Sequence, residues 1–190
     1  MVELRDVSFS YGEKAVLEGI SLRLDCPGAY AIWGPSGQGK TTLLHLMAGL
    51  LRPTSGEIRI EGAPRMAVCF QEDRLMPWLT VLENVSLTAP GKSRAERQAV
   101  GRACLSELGL LEVAGAYPSE LSGGMKRRAA LARALAFGGD MLLLDEPYRA
   151  LDEAMHEQAR ACVRRHAQGR LLVLVTHDAA DAQDMDRIEL

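Results

Sequence analysis

Eight residues constrain this chain more than any others: Gly34, Pro35, Ser36, Gly37, Gln38, Gly39, Lys40 and Thr41. They satisfy the pattern G-x-x-x-x-G-K-[ST] at every fixed position. Ala29–Trp33, just before, is a short apolar run suited to a buried strand, and Thr42–Ala48, just after, reads as a helix. Glycines let the backbone curl until several N–H groups point inward at one anion, and the helix N-terminus adds partial positive charge. In a strand–loop–helix context this is a phosphate cradle. Lys40 is expected to reach the β- and γ-phosphates, Thr41 to offer its hydroxyl to Mg²⁺, and Thr42 to complete the nucleotide-binding positions. A glycine-rich turn with a chance lysine is the alternative, and the complete pattern in its context argues against it.

The chain of 190 residues, 47% hydrophobic, can bury one full core with a small inserted subdomain. A net charge of −3 gives no global pull toward nucleic acid or an anionic membrane, and the densest basic cluster, Lys126-Arg127-Arg128, reads as a solvated helix face. Cys26, Cys69, Cys104 and Cys162 form no C-x-x-C pair, and they read as reduced thiols of a cytosolic protein, neither a zinc site nor a disulfide framework. No charged-then-apolar leader opens the chain, so no secretion signal is expected, and runs such as Leu171–Val175 are too short to cross a bilayer. Any membrane role would come through another chain.

Val2, Leu4, Val7 and Phe9 alternate imperfectly, Val16–Leu24 alternates again, and Gly12 marks a turn between them. An antiparallel pair is expected there, with Tyr11 in the turn, either stacked on an adenine or simply exposed. Glu57–Glu61 and Met66–Phe70 read as short strands. From there the character turns helical: Thr80 with Glu83 makes a capping box, Ser93–Leu108 reads as one helix and Gly123–Phe137 as another. Strands return at Met141–Glu146 and Leu171–Thr176, separated by a helix over Asp152–Gln168; a short helix after His177 and a strand beginning near Ile188 close the chain. The expected fold is α/β: a phosphate-loop NTPase core with a mainly parallel sheet, an N-terminal antiparallel β subdomain and an inserted helical subdomain. It is one domain over 1–190, with the core lobe in 1–71 and 140–190 and the insertion in 72–139.

Met141–Glu146 supplies what hydrolysis of a phosphoanhydride requires. Asp145, at the end of a buried strand, can help to hold Mg²⁺, and Glu146 can polarise the attacking water. Gln71 and His177 also follow apolar strands, which brings them to the edge that carries the phosphate loop. Gln71 could ligate Mg²⁺ or orient water, and His177 could touch the γ-phosphate. Leu121-Ser122-Gly123-Gly124-Met125 offers a helix cap at Ser122 and two glycines whose N–H groups are open to an anion. Physics alone leaves it open whether this is a binding element or a capped helix with a flexible entry.

Together Tyr11, Gly34–Thr41, Gln71, Leu121–Met125, Met141–Glu146, Ala150-Leu151-Asp152 and His177 resemble the ATP-binding cassette (ABC) ATPases, in that family's order and across nearly the whole chain. The resemblance implies adenine stacking by Tyr11, a catalytic base at Glu146 and a γ-phosphate contact by His177. It also implies a head-to-tail homodimer with ATP between the phosphate loop of one copy and Ser122, Gly123 and Gly124 of the other. Phe70–Val85, with the Met125 ending, is similar to importers of the nitrate, sulfonate and taurine group. That likeness implies integral-membrane permease subunits contacted through Gln71–Val85, with Met76 and Trp78 as anchors, and an extracytoplasmic solute-binding protein in the same system. The chain would then sit on the inner face of the membrane. Trp78 packed inside the helical insertion is the competing reading.

Three positions depart from the pattern. Met125 stands where Gln is commonest, Arg149 where Ser or Gly is commoner, and the chain ends soon after His177. The last implies no regulatory C-terminal domain and incomplete final strands. The other readings fail on particular residues. A GTPase would need Asn-Lys-x-Asp, but the only asparagine, Asn84, precedes Val85. A small-molecule kinase would leave Leu121–Met125 and His177 without a role. DNA-repair cassettes need a long coiled coil here, and ribosome-acting ones carry two cassettes in one chain.

Overall fold

The computed structural model describes residues Met1–Leu190. Strands β1 (Val2–Tyr11), β2 (Lys14–Leu24) and β4 (Ser55–Ile60) form an antiparallel sheet in the order β2-β1-β4. Strands β5 (Met66–Cys69), β6 (Met141–Asp145), β7 (Leu171–Val175), β3 (Gly28–Trp33) and β8 (Asp186–Glu189) form a parallel sheet in the order β5-β6-β7-β3-β8.

The imperfect alternation of β1 has a physical cause. Leu4 and Val7 are both buried although three residues apart, which a regular strand does not allow. The register shifts between them, and Asp6 takes a left-handed φ of 50°, so a bulge returns the apolar face to the core. β4 runs against this bulge with Gly56 at φ 80°. A Cβ there would lie 2.2 Å from the Asp6 carbonyl oxygen, so the close approach admits only glycine.

In β6 and β7 every residue is buried, as expected of strands covered on both faces. Alternate residues serve two cores. Met141, Leu143, Leu171, Val173 and Val175 pack with the antiparallel sheet and with α1 (Lys40–Met47). Leu142, Leu144, Leu172 and Leu174 pack with α2 (Val81–Ser86), α3 (Arg94–Glu107), α4 (Gly123–Phe137) and α5 (Glu153–His166). The helices between β5 and β6 therefore share one continuous apolar cluster with the sheet.

Local chemistry sets the helix ends. Thr80 and Glu83 form the reciprocal capping box, Ser93, Ser122 and Asp152 cap α3, α4 and α5, and α4 closes on Gly138 in the left-handed conformation. Asn84 is fully buried. Its amide donates to the carbonyls of Met76, Leu79 and Thr80 and accepts from the Met76 N–H. This binds the loop before α2 tightly from within, while Trp78 at its tip is 70% exposed. The reading that packed Trp78 inside the insertion is overturned.

Two further expectations are corrected. Residues 179–184 form successive turns and no helix. The Thr176 hydroxyl accepts from the Asp178 N–H and the Asp178 carboxylate from the Ala180 N–H, local bonds that compete with a helical start. Arg127 is only 4% exposed, so the basic cluster is no solvated face. All four cysteines are free thiols, with Cys69, Cys104 and Cys162 buried.

Candidate functional site

The parallel order brings four strand ends to one edge. β3 leads into the loop Gly34–Gly39, β5 into Gln71, β6 into Glu146 and β7 into His177. Gly39 occupies the N-cap of α1 at φ 90°, and no side chain caps that helix. A Cβ on Gly39 would meet Leu17 and Val16 of β2 at 2.8 and 2.9 Å, so the loop is pressed against the antiparallel sheet. From Ser36 through Thr42 no backbone N–H donates to an acceptor in the protein. The buried Lys40 ammonium donates to the carbonyl oxygens of Gly34 and Pro35, 2.7 Å each. A curved run of free donors with an ammonium in its centre is an anion cradle.

Asp145 ends β6 fully buried, and neither of its carboxylate oxygens has a hydrogen-bond partner. Burial pushes its pKa up, with the Thr41 side chain the main opposing influence. An unpaired carboxylate buried beside a hydroxyl is an unfavourable arrangement unless a cation completes it. The oxygen donors at hand suit a hard ion such as Mg²⁺.

Glu146 follows at φ 45°, a left-handed conformation that costs a non-glycine residue about 1–2 kcal/mol. It is held there at both ends: its N–H donates to the Val175 carbonyl at 3.0 Å, and its carbonyl accepts from Arg127. The backward turn brings Glu146 Oε1 to 2.8 Å from His177 Nε2. Ser36, Gln71, Glu146 and His177 together line a cleft of about 390 Å³.

Other expected residues stand apart from this cleft. Tyr11 is 54% exposed at the end of β1, its ring edge-on to Phe9 at 4.8 Å. Ser122 accepts from the Met125 N–H, and Gly123 lines a different hollow of about 590 Å³ with Gln71, Arg127 and Arg149. Within one chain, then, Ser36 of the phosphate loop and Gly123 line different hollows that adjoin at Gln71 and Arg149.

Sequence reading missed the residues that brace the site. Arg127 is one. A second group is Thr176, whose hydroxyl donates to Asp181 at 2.8 Å, and His156, whose Nε2 lies 2.6 Å from the other Asp181 oxygen. His156 also stacks on Tyr148, two residues beyond Glu146. The helical period held a signal for Arg127, since Arg127, Leu131 and Leu135 recur at the spacing of the buried stripe of α4.

An open parallel sheet with a phosphate loop after one strand and an acidic pair after another defines a nucleoside-triphosphate hydrolase of the phosphate-loop class. The model of the ABC transporter family matches residues 17–149, and the chain belongs to that family; it is an ATP-binding ATPase. Aliphatic sulfonates import ATP-binding protein SsuB 2 of Streptomyces avermitilis is 43% identical over 95% of this chain and 72% of its own length. Taurine import ATP-binding protein TauB of Chromobacterium violaceum is 42% identical over 93% and 72%. Among solved structures, the dimeric ATP-binding cassette MJ0796 bound to ADP and Pi superposes with a TM-score of 0.92 at 32% identity, covering 100% of this chain and 94% of that one. No helix is long and apolar enough to cross a membrane.

Proposed function

We propose that the chain is the ATP-hydrolysing subunit of an importer for small organic anions of the sulfonate and taurine type, working with separate integral-membrane subunits. The observation that carries this reading is the course of residues 71–85. The segment leaves the hydrolytic cleft at Gln71 and reaches solvent at Trp78, rigidified from within by Asn84. Beside it, Met66, Phe70, Met76, Leu87 and Phe137 line an apolar groove of about 360 Å³. A large exposed aromatic next to an apolar groove suits a helix of a membrane subunit. The names of the similar importers support the substrate class. Attachment would be to the inner, cytoplasmic face, with a solute-binding protein on the outside and no nucleic acid among the partners.

In this reading ATP lies along the loop from Gly34 to Thr42, its adenine on Tyr11. Lys40 exchanges the carbonyls of Gly34 and Pro35 for phosphate oxygens. Thr41, Gln71 and Asp145 would hold Mg²⁺, which supplies charge neutralisation at the phosphates when bound. Glu146 takes a proton from the attacking water as its oxygen bonds to the γ-phosphorus and the bond to the bridging oxygen breaks. His177 steadies Glu146 and reaches the γ-phosphate. Ser122, Gly123 and Gly124 close over the nucleotide of a second copy in a head-to-tail dimer. What supports this arrangement is that Gly123 is not among the residues lining the cleft with Ser36, Glu146 and His177.

Co-expression with permease subunits of a sulfonate or taurine importer tests the proposal. A stable complex whose ATPase and vesicle uptake rise with an alkanesulfonate or taurine is the expected result. A chain that hydrolyses ATP alone and recovers no membrane subunit would favour a soluble cassette ATPase.

A further inference from the structure

Burying an arginine is unfavourable unless its donors are met, and Arg127 of α4 meets them in an unusual way. Its guanidinium donates to the backbone carbonyls of Phe70, Gln71, Asp145 and Glu146, and it faces Asp73 at 3.5 Å. These acceptors are not scattered. Phe70 and Gln71 follow the end of β5, Asp145 and Glu146 lie at the end of β6, and the two strands are parallel neighbours with Cys69 opposite Leu144. Carbonyls at the last rung of a parallel ladder lose their sheet partners, and one planar fork of donors replaces them for both strands at once.

The clamp bears on the site itself. The Glu146 carbonyl receives both Nε at 3.1 Å and Nη2 at 2.8 Å, so the peptide that follows the left-handed Glu146 is fixed from α4. The same residue sets its carboxylate Oε1 2.8 Å from His177 Nε2. Six residues along α4, Arg133 donates to the carbonyls of Asp73 and Arg74 and extends the same hold over the segment leaving Gln71.

We propose that Arg127 is a positioning residue for hydrolysis, tying the backbones that carry Gln71 and Glu146 to the helix that begins at Ser122. This rests on the assignment of Glu146 as the base. Closure of Ser122–Gly124 on a partner's nucleotide would move α4, and through Arg127 the displacement would reach both segments without an intermediate contact.

The test compares Arg127→Met, Arg127→Lys and Arg127→Gln in the full chain. It measures basal ATP turnover, affinity for a fluorescent ATP analogue and melting temperature. Arg127→Met is expected to lower kcat about 30-fold or more while nucleotide affinity changes less than about threefold. Arg127→Lys and Arg127→Gln, which keep some donors, should recover part of kcat. Unchanged kcat in folded Arg127→Met would overturn the proposal, as would equal loss of kcat, affinity and melting temperature in all three variants. Should Arg127→Met not fold, Arg127→Lys carries the test: reduced kcat at retained affinity supports the clamp, and full kcat overturns it. Glu146→Gln runs alongside. If Glu146→Gln is inactive while the Arg127 variants are normal, only the clamp fails; if Glu146→Gln hydrolyses normally, the base assignment fails first.

Discussion

His177 Nε2 lies 2.8 Å from Glu146 Oε1, joining the residues that follow two adjacent strands, β7 and β6. The pairing holds a carboxylate in the mouth of the cleft beside Ser36 of the phosphate loop. Glu146→Gln removes the proposed proton acceptor but keeps the shape and a hydrogen bond. It is expected to slow hydrolysis about 100-fold or more with ATP binding intact, leaving an ATP-bound dimer visible by size-exclusion chromatography. Unchanged turnover would remove Glu146 as the base.

Ser122→Arg places a long cation at the N-cap of α4, next to Gly123 and outside the residues that line the cleft of its own chain. Hydrolysis should be abolished while nucleotide affinity of the monomer is retained. Normal turnover in this variant would exclude the shared-site dimer.

Asp145→Asn retains the buried shape and loses the charge that a divalent cation would neutralise. Mg²⁺-dependent turnover should fall about 100-fold or more, and chelation of Mg²⁺ should stop the wild type to the same degree. Turnover unaffected by chelation would count against Asp145 and Thr41 as a cation site.

Trp78→Ala truncates an exposed side chain with no role in the core. Recovery with the membrane subunits should weaken by about 2 kcal/mol, or some 30-fold in affinity, while ATP binding stays at the wild-type level. A complex of full strength would move the docking site elsewhere.

Burial pushes the thiol of Cys104 up to about 11 and that of Cys162 up to about 12, from an ordinary 9.0. At pH 8 a thiol reagent should titrate only the exposed Cys26 in the native chain, and all four cysteines in denaturant. Because the folded values are raised, the native state keeps protons that the unfolded chain has released. The stability contributed by these two thiols should therefore be full below pH 9 and be lost as the pH climbs toward 11–12, which denaturant titration at a series of alkaline pH values would measure.

Neighbouring residues alone set what depends on short range. Gly34–Thr41 needs its glycines and lysine in a fixed spacing, β6 and β7 need unbroken apolar runs, and Thr80, Ser93, Ser122 and Asp152 cap helices through bonds to residues three positions away. Periodicity and capping chemistry are written in neighbouring residues, so they could be read directly. What depends on which strands lie side by side is fixed only when the sheet assembles. The order β5-β6-β7-β3-β8 sets Gln71, Glu146 and His177 around the loop, and no local pattern encodes that order. It also buried Arg127 where a run of three basic residues looked solvated, because the carbonyls at two strand ends needed donors. It left Trp78 exposed on a loop whose Met76 and Leu79 carbonyls the buried Asn84 holds from within. The phosphate loop was legible from its eight residues; the hold of Arg127 on the Glu146 backbone beside it exists only once the sheet has formed.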